Sequence, residues 1–131
     1  MEKVTRFEEL EVFQKARAIC KEIYRITDEN PFKSDYRFVQ QIRAAGGSIM
    51  DNIAEGFERN GNKEFANFLF IAKGSCGEVR SQIIRANDVG YIDDDSTQLL
   101  IKESEDISKM LFTLIRSLRN SQYTGIKYAE L

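Results

Sequence analysis

The stretch FVQQIRAAGGSIMDNIAEG, residues 38–56, sets Phe38, Ile42, Ala45, Ile49, Asn52 and Gly56 at spacings of 4-3-4-3-4. Steps of four and three return to the same face of an α-helix, whereas a strand needs strict alternation. The seam is apolar or small throughout, so it packs against other helices. Three more segments repeat the pattern. Phe13, Ala16, Cys20, Ile23 and Thr27 make one seam. Phe65, Phe68, Ala72, Ser75, Val79, Gln82 and Ala86 make the next, flanked by Leu69, Cys76 and Ile83. Leu100, Ser104, Ile107, Leu111, Leu114 and Leu118 make the last. Breakers separate them at Asp28–Pro31, Asn60–Asn62 and Gly90–Asp95. Short connections between four such helices predict an all-α, antiparallel up-down-up-down four-helix bundle with a left-handed supercoil.

The boundaries have local causes. Pro31 excludes helix at Asn30 and removes a donor. Ser34 is the expected N-cap of the second helix, with Asp35 favourable at its dipole. Gly90 suits the left-handed closure of the third helix. Asp93-Asp94-Asp95-Ser96 supply cap oxygens to the fourth, and lack the spaced ligands and distal glutamate of a calcium loop. Residues 1–131 read as one domain, with helices near 10–28, 34–59, 62–88 and 95–120. Phe13, Ile42, Ile49, Phe68, Val79, Ile83, Ile107, Leu111 and Leu114 are the expected core.

Composition narrows the chemistry. The 131 residues include no histidine, which excludes histidine triads, Cys-His pairs and histidine-ligated metal or haem. Nineteen basic against twenty-one acidic side chains leave a net charge of −2, so no bulk positive field recruits nucleic acid. Cys20 and Cys76 lie on apolar helical positions and read as buried thiols of a cytoplasmic protein. No apolar run approaches the ~20 residues of a membrane span. No cofactor or metal site is expected, and no catalytic residues; the chain reads as a non-enzyme.

Two motifs stand out: Gln41 to Gly56, and Phe68 to Glu78 with Gly74 and Gly77. In a hairpin of helices two and three, facing residue numbers sum to roughly 121 if the turn centres near Gly61. Gly46 and Gly47 then face Ser75 and Gly74, which predicts either a tight crossing or a ligand pocket opened by the glycines. Each mid-helix glycine costs ~1 kcal/mol relative to alanine. The same register sets Arg43 beside Glu78 and Ser48 beside Lys73. Arg43, Ser48, Asn52, Glu55, Lys73, Ser75 and Glu78 form a polar stripe that would fix register. Glu55 and Glu78 fall ~17 Å apart on this register, too far for a shared acid/base pair.

Gln41-Ile42-Arg43, Ser48-Ile49, Asn52-Ile53-Ala54-Glu55-Gly56, Ile71-Ala72-Lys73-Gly74-Ser75 and Glu78 together resemble the bacterial 23S rRNA intervening-sequence proteins. Phe7 to Ala16, with Leu-Glu-Val-Phe-Gln-Lys-Ala at residues 10–16, resembles that family's opening, and Gly90-Tyr91-Ile92 its helix-three exit. The resemblance implies a four-helix bundle, a homopentamer, a cytoplasmic location and an RNA-related scaffold role. A related branch implies an alternative: an accessory subunit that binds reverse transcriptase and RNA or DNA. A small-molecule-binding bundle or enzyme is the alternative of another class. The chain departs from the family at Ala44, where a second basic residue is common, and at Met50, where proline is common. The first removes an Arg-Arg pair; the second predicts a straighter second helix.

Two surfaces follow as expectations. Five consecutive apolar residues, Phe68 to Ala72, cannot all face one core, so Phe57 and Phe70 are candidates for an oligomer interface. Lys15, Arg17, Lys21, Arg25, Arg80 and Arg85 either solvate the outside or contact nucleic acid from a ring that multiplies a weak patch.

Overall fold

The seams fold as their spacing dictates. The structure is a computed structural model in which residues 4–120 are described. Four helices follow in order: α1 (Glu11–Thr27), α2 (Tyr36–Glu58), α3 (Asn62–Asp88) and α4 (Asp94–Asn120), with 3-10 turns at Phe7–Glu9 and Phe32–Ser34. No strand occurs among the described residues. Sequential helices pack on one another, and α1 also packs on α4, which closes the bundle. Cross-helix contacts show that neighbours run in opposite directions. Along α2 and α3, Gln41 meets Arg85, Ser48 meets Ser75 and Gly56 meets Phe65. Along α3 and α4, Asn62 meets Leu118, Arg80 meets Glu105 and Asn87 meets Asp94. No helix among the described residues is long and apolar enough to cross a membrane.

Eight of the nine expected core residues are buried, from Phe13 to Leu114. Phe68 is the correction: it is half-buried, and Leu69 holds the core position at 0% exposure. The α3 seam runs Phe65, Leu69, Ala72, Cys76, Val79, Ile83 and Ala86, one residue round from Phe68. Burial raises both thiols, and pushes that of Cys76 up to about 12.

The ends are held by caps, one of them different from expectation. Ser34 closes the 3-10 turn, and its hydroxyl donates to Asn30 Oδ1 at 3.0 Å. Asp35 is the N-cap of α2; its Oδ1 accepts from the Phe38 amide at 3.3 Å. Its other oxygen accepts from the Tyr91 hydroxyl at 2.8 Å, tying the α3–α4 connection to the start of α2. That bond raises the Tyr91 pKa, because the phenol is held protonated. Phe32, Phe38 and Tyr91 stack beside it, with centroids 4.9–6.1 Å apart. Gly90 has φ +82°, and the Tyr91 amide reaches back to the Ala86 carbonyl at 2.8 Å. Asp93 caps α4 by accepting from the Ser96 amide at 2.6 Å.

Candidate interaction surface

The outer face of the α2/α3 hairpin carries most of the polar stripe, but only part of it converges. Ser75 is buried, and its hydroxyl lies 2.9 Å from Ser48 Oγ and 3.2 Å from the Ile71 carbonyl. Asn52 Nδ2 donates to Ser48 Oγ at 2.9 Å and to the Ser48 carbonyl at 2.8 Å. These three side chains form one chain of hydrogen bonds between the helices. Arg43 is not beside Glu78: its Nε donates to Thr27 Oγ1 of α1 at 2.9 Å, and its guanidinium lies 4.4 Å over the Tyr24 ring. Ser48 meets Ser75 and not Lys73, although Gly56 and Phe65 nearer the turn keep the expected register. Glu55 pairs with Arg59 at 3.6 Å. Lys73 is half-buried, and Glu78 is exposed without an ion pair among the described residues.

The glycines divide into two kinds. A Cβ on Gly46 would sit 2.8 Å from Ile23 Cδ1, so this glycine admits α1. A Cβ on Gly56 would sit 2.6 Å from Phe68 Cβ and 3.0 Å from Phe65 Cδ1, so this is the tight approach of α2 to α3. Around Gly47, Gly74 and Gly77 the space is open. The expected meeting of Gly46 and Gly47 with Ser75 and Gly74 is therefore corrected: Gly46 turns toward α1, and Gly47 faces outward. Gly56→Ala should destabilise by about 1–3 kcal/mol through overpacking. Gly47→Ala should instead stabilise by up to ~1 kcal/mol, the helix-propensity difference. Denaturant melts of the two variants check this; equal shifts would contradict it.

The surface between α2 and α3 is concave, and Gly47 lies in it. One cleft of about 510 Å³ is lined by Gln41, Ala44, Ser48, Glu78, Gln82 and Arg85 among others. A second, of about 710 Å³, shares Ala44 and Ser48 and adds Gly47, Asp51 and Glu55. Gln82 is 7% exposed, and its Oε1 is buried with no hydrogen-bond partner among the described residues.

The six candidate nucleic-acid contacts do not form one patch. Arg25 pairs with Glu22 and Glu29, and Arg80 with Glu105 at 3.6 Å. Arg85 lies 4.1 Å over the Phe38 ring and donates to Gln41 at 3.2 Å. Lys15, Arg17 and Lys21 are exposed, without ion pairs among the described residues. The two interface candidates also part. Phe57 is a core residue at 0% exposure, its ring 6.5 Å from Phe7 and 5.7 Å from Phe65, so its assignment to an interface is corrected. Phe70 is exposed on α3, with the Arg119 guanidinium 4.8 Å over its ring.

Arg119, and the neighbouring pair Arg116 and Phe112 at 5.9 Å, are not among the residues that the sequence singles out. The i, i+4 spacing of Phe112 and Arg116 was a visible signal; the crossing from α4 to Phe70 was not.

Comparison with known proteins agrees with this architecture. A crystal structure of a protein of unknown function from the S23 ribosomal protein family of Bacteroides thetaiotaomicron VPI-5482 matches with a TM-score of 0.73. The two are 23% identical over 80% of this chain and 98% of that one. No curated protein matches the chain. Residues 8–113 match the model of the 23S rRNA-intervening sequence proteins, so the match runs from the turn before α1 into the last turns of α4. On that match, the chain belongs to the 23S rRNA-intervening sequence protein family.

Proposed function

We propose that this protein is a non-enzymatic, self-associating scaffold with an RNA-related role. One observation carries the reading: the apolar seams are consumed inside the bundle, yet Phe70, Ile71 and Ile84 of α3 stay exposed beside open glycines. Surfaces of this kind serve association. The resemblance noted in the sequence suggests a ring of five, which needs two different surfaces joined head to tail. The experiment is sedimentation velocity at micromolar concentration. A stable assembly several times the 15.1 kDa chain mass is expected, and a monomer would overturn the reading.

A second reading, an accessory subunit that holds RNA or DNA for a reverse transcriptase, draws on Phe70 with Arg119 and Phe112 with Arg116. Exposed aromatic rings with arginines over them suit stacking of single-stranded bases. Titration of single-stranded RNA should then show binding that weakens steeply with salt, and at least tenfold on Arg116→Ala with Arg119→Ala. Absence of binding at low salt, with the assembly intact, leaves the scaffold alone.

A further inference from the structure

We infer that the cleft between α1 and α2 is a binding site for a small organic phosphate monoester. The inference goes beyond the scaffold reading and does not rest on self-association. The cleft has a volume of about 870 Å³, with Arg17, Lys21, Tyr24 and Arg25 on its α1 wall and Arg43 and Met50 on its α2 wall. Arg43 is its fixed point. The Arg43 Nε donates to Thr27 Oγ1 at 2.9 Å, and the guanidinium lies 4.4 Å over the Tyr24 ring. Thr27 is buried and donates to the Ile23 carbonyl at 2.7 Å, which holds its oxygen in place as an acceptor. These two contacts set the plane of a half-buried guanidinium. Its two terminal nitrogens have no hydrogen-bond or ion-pair partner among the described residues. A guanidinium held flat with its fork unspent is pre-organised for an oxyanion, which it binds through paired hydrogen bonds.

Charge identifies the class of ligand. Arg17 and Lys21 lie one helical turn apart, both exposed, and neither has an ion pair among the described residues. Arg25 is spent on Glu22 and Glu29, and Asp28 lies 3.7 Å from Lys33 Nζ. Arg17, Lys21 and Arg43 are therefore the uncompensated cations, and Asp51 of the adjoining cleft is the carboxylate without an ion pair set against them. The positive surplus that remains is matched by a phosphate monoester, which carries ~2 negative charges at neutral pH. Its tetrahedral oxygens meet donors arriving from both helices, whereas a carboxylate presents only one plane. A polyanion is disfavoured, because along the groove it meets Asp28 and Glu29 past the end of α1, and Asp51 and Glu55 further along α2. The half-buried Met50 gives an adaptable apolar wall to the organic part of the ester.

The test is isothermal titration calorimetry of the full chain at low salt, with circular dichroism as a check on folding. The probes are phenyl phosphate, inorganic phosphate and a single-stranded RNA oligonucleotide. Phenyl phosphate should bind saturably, one per chain, and about tenfold tighter than inorganic phosphate, since only the ester buries an apolar group. Arg43→Lys keeps the charge but loses the fork, and should weaken binding by about tenfold or more. Arg17→Ala with Lys21→Ala removes exposed side chains only, so helicity and melting should hold while affinity falls by about tenfold or more. Lys102→Ala, an exposed cation of α4, should leave affinity unchanged. No saturable binding of phenyl phosphate, or binding that both cleft variants retain, would overturn the site. Equal affinity for inorganic phosphate would overturn the ester in favour of free phosphate. RNA bound more tightly than phenyl phosphate, and released by the same substitutions, would overturn the small ligand in favour of a polyanion.

Discussion

Phe57→Ala is expected to lower the unfolding free energy by about 3–5 kcal/mol, the usual cost of emptying an aromatic core site. The ring is fully enclosed, edge-on to Phe65 and within reach of Phe7 ahead of α1, so its removal leaves space that three elements line. Helix propensity offsets little of that, since alanine improves on phenylalanine by less than ~1 kcal/mol. Chemical denaturation followed by circular dichroism measures the effect. A variant as stable as the parent but impaired in self-association would return Phe57 to an interface role and contradict the packing described here.

Leu111→Ala is the second large effect, expected at about 2–5 kcal/mol. Leu111 is 0% exposed in α4, between Ile107 and Leu114 of the same seam. α4 packs on both α3 and α1, so its buried seam belongs to the shared core of the bundle. Phe112→Ala, one position on, provides the control: that ring is 47% exposed. Its loss should change stability by roughly 0.5 kcal/mol or less, as surface substitutions do. Similar melting shifts for the two variants would reject the α4 seam.

Much of the candidate surface was invisible before folding. The polar stripe was legible as a set of residues sharing helix faces, and Ser48, Asn52 and Ser75 do meet. A hairpin register sets Arg43 level with Glu78, but it does not fix which side of α2 the side chain leaves from. Its long side chain reached Tyr24 and Thr27 of α1 instead. The 4-3 seam of α2 ends at Gly56 in the sequence, which leaves Phe57 outside it. In the structure the 3-10 turn at Phe7–Glu9 folds under the end of the bundle and covers the ring. Ser34 and Asp35 were both cap-competent by residue type. The turn at Phe32–Ser34 took Ser34 out of contention by using it as its last residue.

What the sequence determined by itself is the helical class, the four seams and the ends of the helices within a residue or two. Those depend on interactions a few residues apart: the 3.6-residue repeat, proline at position 31, and glycine at position 90. Tertiary structure alone decided the rotation of each helix about its axis. That choice made Leu69 a core residue and left Phe68 at the margin; it pressed Gly46 and Gly56 against neighbouring helices while Gly47 and Gly74 stayed open. One residue is about 100° of turn on an α-helix. Which of two adjacent apolar or small residues faces inward is therefore settled by the summed packing of four helices, a quantity that no single segment contains.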